Sequence, residues 1–178
     1  MTLPPPLGPC APFNQALAGL QDSTASGHIS AGTLLSDGFT LRADPALQAG
    51  GHWRSPAGRL LELDLQITGQ GEWIGLHLTL GQLDLLPFRY AGVACRSAAG
   101  SAEVLRPCLR AGLPGGGFSD CFFPRHLLAR EEPSDHMDTL HLPSCPHLPL
   151  DAEWFELVLF LPARSCRLEL QDLRLFFL

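Results

Sequence analysis

Trp73, His77, Tyr90, Arg96 and Arg106 bring flat aromatic faces and planar polar groups into one central stretch of the chain. Trp73 and His77 share one side of a period-two alternation, as do Tyr90 and Arg96, and then Arg106 and Arg110. Indole and phenol rings stack on the apolar face of a pyranose with little loss of entropy, and guanidinium groups hydrogen-bond its hydroxyls. If the three strands are neighbours, they assemble an aromatic, Arg-rich concave face suited to a saccharide. The competing reading has Trp73 and Tyr90 capping the core while the arginine stems run over them. Trp53, in the run Gly50-Gly51-His52-Trp53, offers a second platform at a loop or strand edge, whereas Trp154 reads as a core anchor.

A different chemistry gathers between residues 131 and 147, where Asp135, His136, Asp138, His141, Cys145 and His147 collect. Imidazole, carboxylate and thiolate are donors for zinc or iron. The spacing contains no C-x-x-C, H-E-x-x-H or His-x-His pair, so a solvated acidic loop explains it more simply than a metal-dependent enzyme. Gly117-Phe118-Ser119-Asp120-Cys121 is not a nucleophile elbow, and the glycines at 115 to 117 are not framed as a phosphate loop. No motif fixes a reaction, and the residues argue for binding without catalysis.

These side chains need strands to position them. Leu61, Leu63, Leu65 and Ile67 alternate with Glu62, Asp64 and Gln66, and Ile74, Leu76, Leu78 and Leu80 alternate with Trp73, Gly75, His77 and Thr79. Joined through Gly69-Gln70-Gly71, the two runs predict a β-hairpin. Phe88–Arg96 and Glu103–Arg110 predict a second pair, and Phe155–Leu161 with the terminal run a third. Phe118–Phe123 and Thr139–Leu142 read as short strands, with brief helical turns over Asn14–Leu20, capped by Asn14, and over Arg125–Arg130. A terminal strand as apolar as Arg167–Leu178 must be paired and covered. With eight to ten short strands and no long 3.6-period segment, the fold class is all-β, a two-sheet antiparallel β-sandwich or jelly roll. Residues 1–34 read as an N-terminal arm and lead-in, and 35–178 as the sandwich domain.

Length and composition fit this. A chain of 178 residues, 46% hydrophobic, buries a substantial core. All 12 basic residues are arginine, which a GC-rich coding sequence explains. A formal charge of −6 without a basic block argues against nucleic-acid binding and against a polybasic membrane anchor. No apolar run reaches the length of a membrane span. The N-terminus lacks the positive and apolar regions of an export signal, so a cytoplasmic location is expected. In that setting all six cysteines are expected as free thiols, with Cys95 and Cys166 as small core residues.

The closing order Glu156–Leu161, a turn, then Arg167–Leu175 resembles the last strands of carbohydrate-binding-module, galactose-binding-like jelly rolls, with the Leu60–Ile67 and Trp73 strands similar to their central pair. The resemblance implies non-catalytic binding of a carbohydrate or glycoconjugate through a sheet face. It also implies an oxygen ligand for a structural calcium at the late aspartate, a place held here by Asp172; no other cofactor is expected. The residues themselves favour a β-bulge at Gln171-Asp172, which lets Leu168 and Leu170 share a buried face with Leu173 and Leu175. The expected ligand-binding set is therefore Trp73, His77, Tyr90, Arg96, Arg106 and Trp53. Asp172, Asp135, His136 and His141 are the metal candidates. The alternative function is a structural or protein-interaction module of a glycan-related system, its Arg-rich face meeting a protein partner.

Overall fold

The leucine alternations produce the expected buried faces. Leu61, Leu63 and Leu65, and Ile74, Leu76, Leu78 and Leu80, are all buried in one core. The computed structural model describes residues 8–178. A 3-10 turn leads into the helix α1 (Ala11–Ser23), followed by β1 (Ser26–His28), β2 (Gly32–Ser36), β3 (Phe39–Ala43) and β4 (Ala49–Arg54). Next come β5 (Leu61–Ile67), β6 (Ile74–Gly81), β7 (Tyr90–Ala99), β8 (Glu103–Gly112) and β9 (Phe118–Phe122). The chain closes with β10 (Leu127–Ala129), β11 (Ser134–His141), β12 (Phe155–Leu161) and β13 (Cys166–Phe177). The first seven residues, which hold most of the proline-rich arm, lie outside the described residues.

All strand pairs are antiparallel and form two sheets. The six-stranded sheet has the order β1-β4-β5-β13-β7-β11. The seven-stranded sheet runs β10-β8-β12-β6-β3-β2, with β9 also on β8. The two inner faces meet in a core whose largest fully buried side chains include Phe39, Phe155 and Leu41. This is the two-sheet sandwich expected from the sequence.

The pairing corrects the three expected hairpins. β5 and β6, β7 and β8, and β12 and β13 each fall in opposite sheets, so all three connections cross the sandwich. Alternation marks which face is buried. It does not mark which strand supplies the hydrogen bonds, and a strand across the core satisfies the same apolar face as one alongside. Local bonds hold the crossings. Gly69 N–H donates to Leu47 O at 2.9 Å, and a Cβ at Gly69 would collide with the Ala46 carbonyl, so this loop sits against the Pro45–Leu47 turn. Ser165 Oγ accepts from Ile67 N at 2.9 Å and donates to Ile67 O at 3.3 Å, tying the last crossing to the end of β5.

The bulge in β13 is present, with the register against β7 shifting between Leu170 and Asp172. Leu168, Leu170, Leu173 and Leu175 are all buried, as the alternation requires. Other segments differ from expectation. Residues 127–129 form β10 where a helical turn was expected, and the strand expected from Thr139 begins earlier, at Ser134, taking in residues expected as loop. The helix is longer than the expected turns, and Pro12 opens it. Asn14 lies inside it and does not cap it. Its amide donates to Leu175 O at 2.8 Å and accepts from Leu175 N at 3.0 Å, docking α1 on β13.

Cysteine chemistry also departs from expectation. Cys121 of β9 is disulfide-bonded to Cys145, which follows β11, so the bridge joins the two sheets at one edge. The other four cysteines are free. Burial pushes the thiols of Cys10 and Cys95 up to about 12 and that of Cys166 to about 11, so they remain neutral packing groups.

Candidate functional site

The outer face of the seven-stranded sheet gathers rings and charges across five neighbouring strands. Arg42 of β3 lies opposite Gly75 of β6, Gly75 opposite Phe160 of β12, and Phe160 opposite Arg106 of β8. The adjoining row runs Thr40, His77, Val158, Cys108 and Phe122. The next runs Thr79, Glu156, Arg110 and Asp120. His77, Val158 and Cys108 point outward yet are fully buried, so they form a floor beneath the longer side chains of the flanking rows.

Those longer side chains make a layer of aromatic rings and guanidinium groups. Trp73, just before β6, meets His77 edge-on with ring centroids 6.1 Å apart. Arg106 lies 4.4 Å over the Phe122 ring, and Arg110 lies 3.7 Å over Phe118. Phe122 and Phe160 are 5.7 Å apart, giving a continuous strip of rings from β12 to β9. Arg110 grips Asp120 through two bonds, Nε to Oδ1 at 2.7 Å and a terminal nitrogen to Oδ2 at 2.8 Å. Trp73, Phe118 and Phe122 remain 38%, 51% and 39% exposed, with an arginine lying over one face of each phenyl ring.

A buried polar pair anchors the centre. His77 Nδ1 bonds Glu156 Oε2 at 3.1 Å, and Arg42 pairs with Glu156 Oε1 at 3.1 Å. Burial pushes the Glu156 carboxyl up, but His77, Arg42 and Arg110 together outweigh this and hold it below the ordinary glutamate range. His77 Nε2 is buried without a hydrogen-bond partner among the described residues. Trp73 is held from behind by Asp44, whose carboxylate accepts from Ala46 N and Glu72 N at 2.9 Å each and whose backbone N donates to Trp73 O at 2.8 Å. The bonds from Glu72 N and Ala46 N lower the Asp44 pKa.

Three of the expected ligand-binding residues, Trp73, His77 and Arg106, therefore meet on one face, with His77 as buried support. The other three do not join them. Tyr90 and Arg96 lie on β7, which belongs to the opposite sheet because the expected hairpin is a crossing. Tyr90 contacts His141 at 5.1 Å between centroids, and Arg96 bonds Asp135 at 2.7 Å and Gln171 at 3.0 Å. Trp53 is a core residue: His52 and Arg54 face outward, so the indole between them points inward, opposite Leu63.

The metal candidates are spread along β11 and across the bulge. Asp135 faces Arg96, His136 bonds Ser134 at 3.0 Å, His141 bonds Ser144 at 2.7 Å, and Asp172 accepts from Arg174 Nε at 2.9 Å. Among the described residues, no three His, Cys, Asp or Glu side chains stand close enough to hold a metal ion.

Phe118, Phe122, Phe160, Arg42 and Glu156 were not foreseen as site residues. The alternation Phe118-x-Asp120-x-Phe122 was the available signal for β9, since it places both rings and the carboxylate on one side of a strand.

A groove of about 790 Å³ lies elsewhere, on the outer face of the six-stranded sheet, bordered by His28, His52, Asp64, Arg167 and Glu169. Its exposed rings are the imidazoles of His28 and His52, 4.5 Å apart between centroids, and the indole of Trp53, which also borders it, is buried. Its Glu62 is closed by Arg54 and Arg59, and Glu169 by Arg59. Indole and phenyl rings offer more apolar area than imidazole, so the exposed Trp73, Phe118 and Phe122 make the seven-stranded sheet the stronger candidate.

The architecture is a two-sheet antiparallel β-sandwich, similar in fold to solved carbohydrate-binding modules. Among solved structures, the chain is similar to the CBM22-1 xylan-binding domain of Xyn10C from Paenibacillus barcinonensis. That match has a TM-score of 0.50 and 14% identity, and covers 86% of this chain and 92% of that one. It is also similar to the N-terminal CBM22-1–CBM22-2 tandem domain of the same protein, with a TM-score of 0.54 and 14% identity. That match covers 87% of this chain and 44% of the other, so the chain spans less than half of the tandem. No family model matches the sequence, and no curated protein matches it. At such identities the likeness is one of fold.

Proposed function

We propose that this protein is a non-catalytic carbohydrate-binding module that takes a saccharide chain along the outer face of the seven-stranded sheet. The observation that carries this reading is the concentration of Trp73, Phe118 and Phe122 as exposed rings among Arg42, Arg106 and Arg110 on that one face. Rings supply stacking platforms for pyranose faces, and the guanidinium groups supply in-plane donors for hydroxyls. The solved structures of similar fold support it, one of them a xylan-binding domain. A protein partner on the same face is the second reading, favoured by the exposed Leu34 and Val104, which extend the apolar surface beyond the rings.

Calorimetric titration with a panel of soluble oligosaccharides tests the proposal. Trp73→Ala and Phe122→Ala are each expected to weaken binding about 30-fold, the loss of roughly 2 kcal/mol typical of a central aromatic contact. Tyr90→Ala, on the opposite sheet, serves as the control and is expected to bind as the parent does. Unaltered affinity in both ring variants would overturn the placement of the site.

A further inference from the structure

We propose that this face selects an acidic saccharide, with a ring carboxylate received by Arg106 beside Phe122; this rests on the carbohydrate-binding reading above. The inference comes from following each charge on the face to its partner. At outward positions of the five strands, the two carboxylates, Glu156 and Asp120, are both occupied. Glu156 holds His77 and Arg42, and Asp120 holds Arg110 through both oxygens. Arg106 is different. Among the described residues it has no ion pair and no side-chain hydrogen bond, it is exposed, and it is stacked on the Phe122 ring. Stacking orients the guanidinium plane while leaving its in-plane N–H fork unused, the geometry that receives a carboxylate through two parallel bonds.

The surroundings of Arg106 reinforce its charge. The connection from β9 to β10 passes this corner of the sheet, with Phe123 N donating to Pro107 O at 3.0 Å. That connection carries Arg125, also exposed and also without an ion pair among the described residues. The neighbouring carboxylate, Asp138, is buried and accepts from the backbone N–H groups of Arg125 at 2.8 Å and Thr139 at 2.9 Å. Glu72, the acidic residue next to Trp73, belongs to the β6 side, about 10 Å away at the usual strand spacing. In a chain of net charge −6, the β8–β9 corner thus presents uncommitted positive charge beside exposed aromatic rings.

A matched pair of probes separates charge from shape, namely an oligogalacturonate and its methyl ester, titrated alongside neutral xylo- and gluco-oligosaccharides. The acid is expected to bind at least about tenfold more tightly than its ester at low ionic strength, with the advantage shrinking as salt is added. Arg106→Gln is expected to bring the acid-to-ester ratio close to one, while Arg89→Gln, at the exposed residue just before β7 of the opposite sheet, leaves the ratio as in the parent. Equal binding of acid and ester, a ratio unchanged by Arg106→Gln, or binding of neutral oligosaccharides alone would each overturn the acidic selectivity and leave the carbohydrate-binding reading standing. If none of the oligosaccharides binds, that reading fails, and the selectivity with it.

Discussion

Replacing Glu156 with alanine is expected to destabilise the fold by about 3 kcal/mol, the upper end of the cost of leaving a buried polar group without its hydrogen-bond partner. The Glu156 side chain is 8% exposed and His77 is 1% exposed, whereas Arg42 reaches solvent. Alanine would leave the imidazole without its one hydrogen-bond partner, because Nε2 already has none. Glu156→Gln keeps an oxygen for His77 and is expected to cost about 1 kcal/mol. The pH dependence has a definite sign. The folded-state pKa of Glu156 is depressed, so its stabilisation is complete above the ordinary glutamate pKa and is lost as pH falls below it through the lowered folded value. Urea denaturation of parent and Glu156→Gln at neutral pH and in acid checks this. The difference should be present at neutral pH and vanish in acid, and a gap that widened in acid would contradict the assignment.

The second large effect concerns the disulfide. Cys121 and Cys145 are 24 residues apart in sequence. Opening a loop of this length is expected to cost about 3.5 kcal/mol on the chain-entropy account. For a chain of this size that corresponds to a fall in melting temperature of about 10 °C. The consequence for the face is specific. Among the described residues β9 pairs only with β8, and it carries Phe118, Asp120 and Phe122. Without the bridge to Cys145, this edge strand loses its covalent tie to the other sheet, and saccharide affinity is expected to fall together with stability. Thermal melts and titrations with and without reductant, repeated on Cys121→Ser, provide the measurement. A full count of free thiols in the unreduced protein, with an unchanged melt on adding reductant, would show that the bridge does not form.

Much of the fold was legible in the sequence because period-two alternation reports burial directly. The runs ending at Ile67, Leu80 and Leu175 showed their core faces, and the parity break at Gln171-Asp172 located the bulge. The sequence did not reveal strand partners. The crossing at Gly69–Gly71 looks like a hairpin turn until the Pro45–Leu47 turn is seen to occupy the space behind it, a contact no local pattern encodes. The site suffered from the same ambiguity. Trp73, His77 and Arg106 share a face only because β12 inserts between β6 and β8, and Tyr90 and Arg96 left it because β7 crosses over. Phe160 and Glu156 were hidden in a run that reads as uniformly apolar. Their outward direction follows from that run pairing with β6 and β8 on its two edges.

The most direct measurement is chemical-shift mapping of the folded, oxidised protein during titration with a saccharide oligomer that binds it. The expected result is a footprint on the backbone and side chains of Trp73, Arg106, Phe118, Phe122 and Phe160, with His28, His52 and Arg167 in the opposite groove unmoved. A footprint confined to that groove on the six-stranded sheet would contradict the assignment of the binding face.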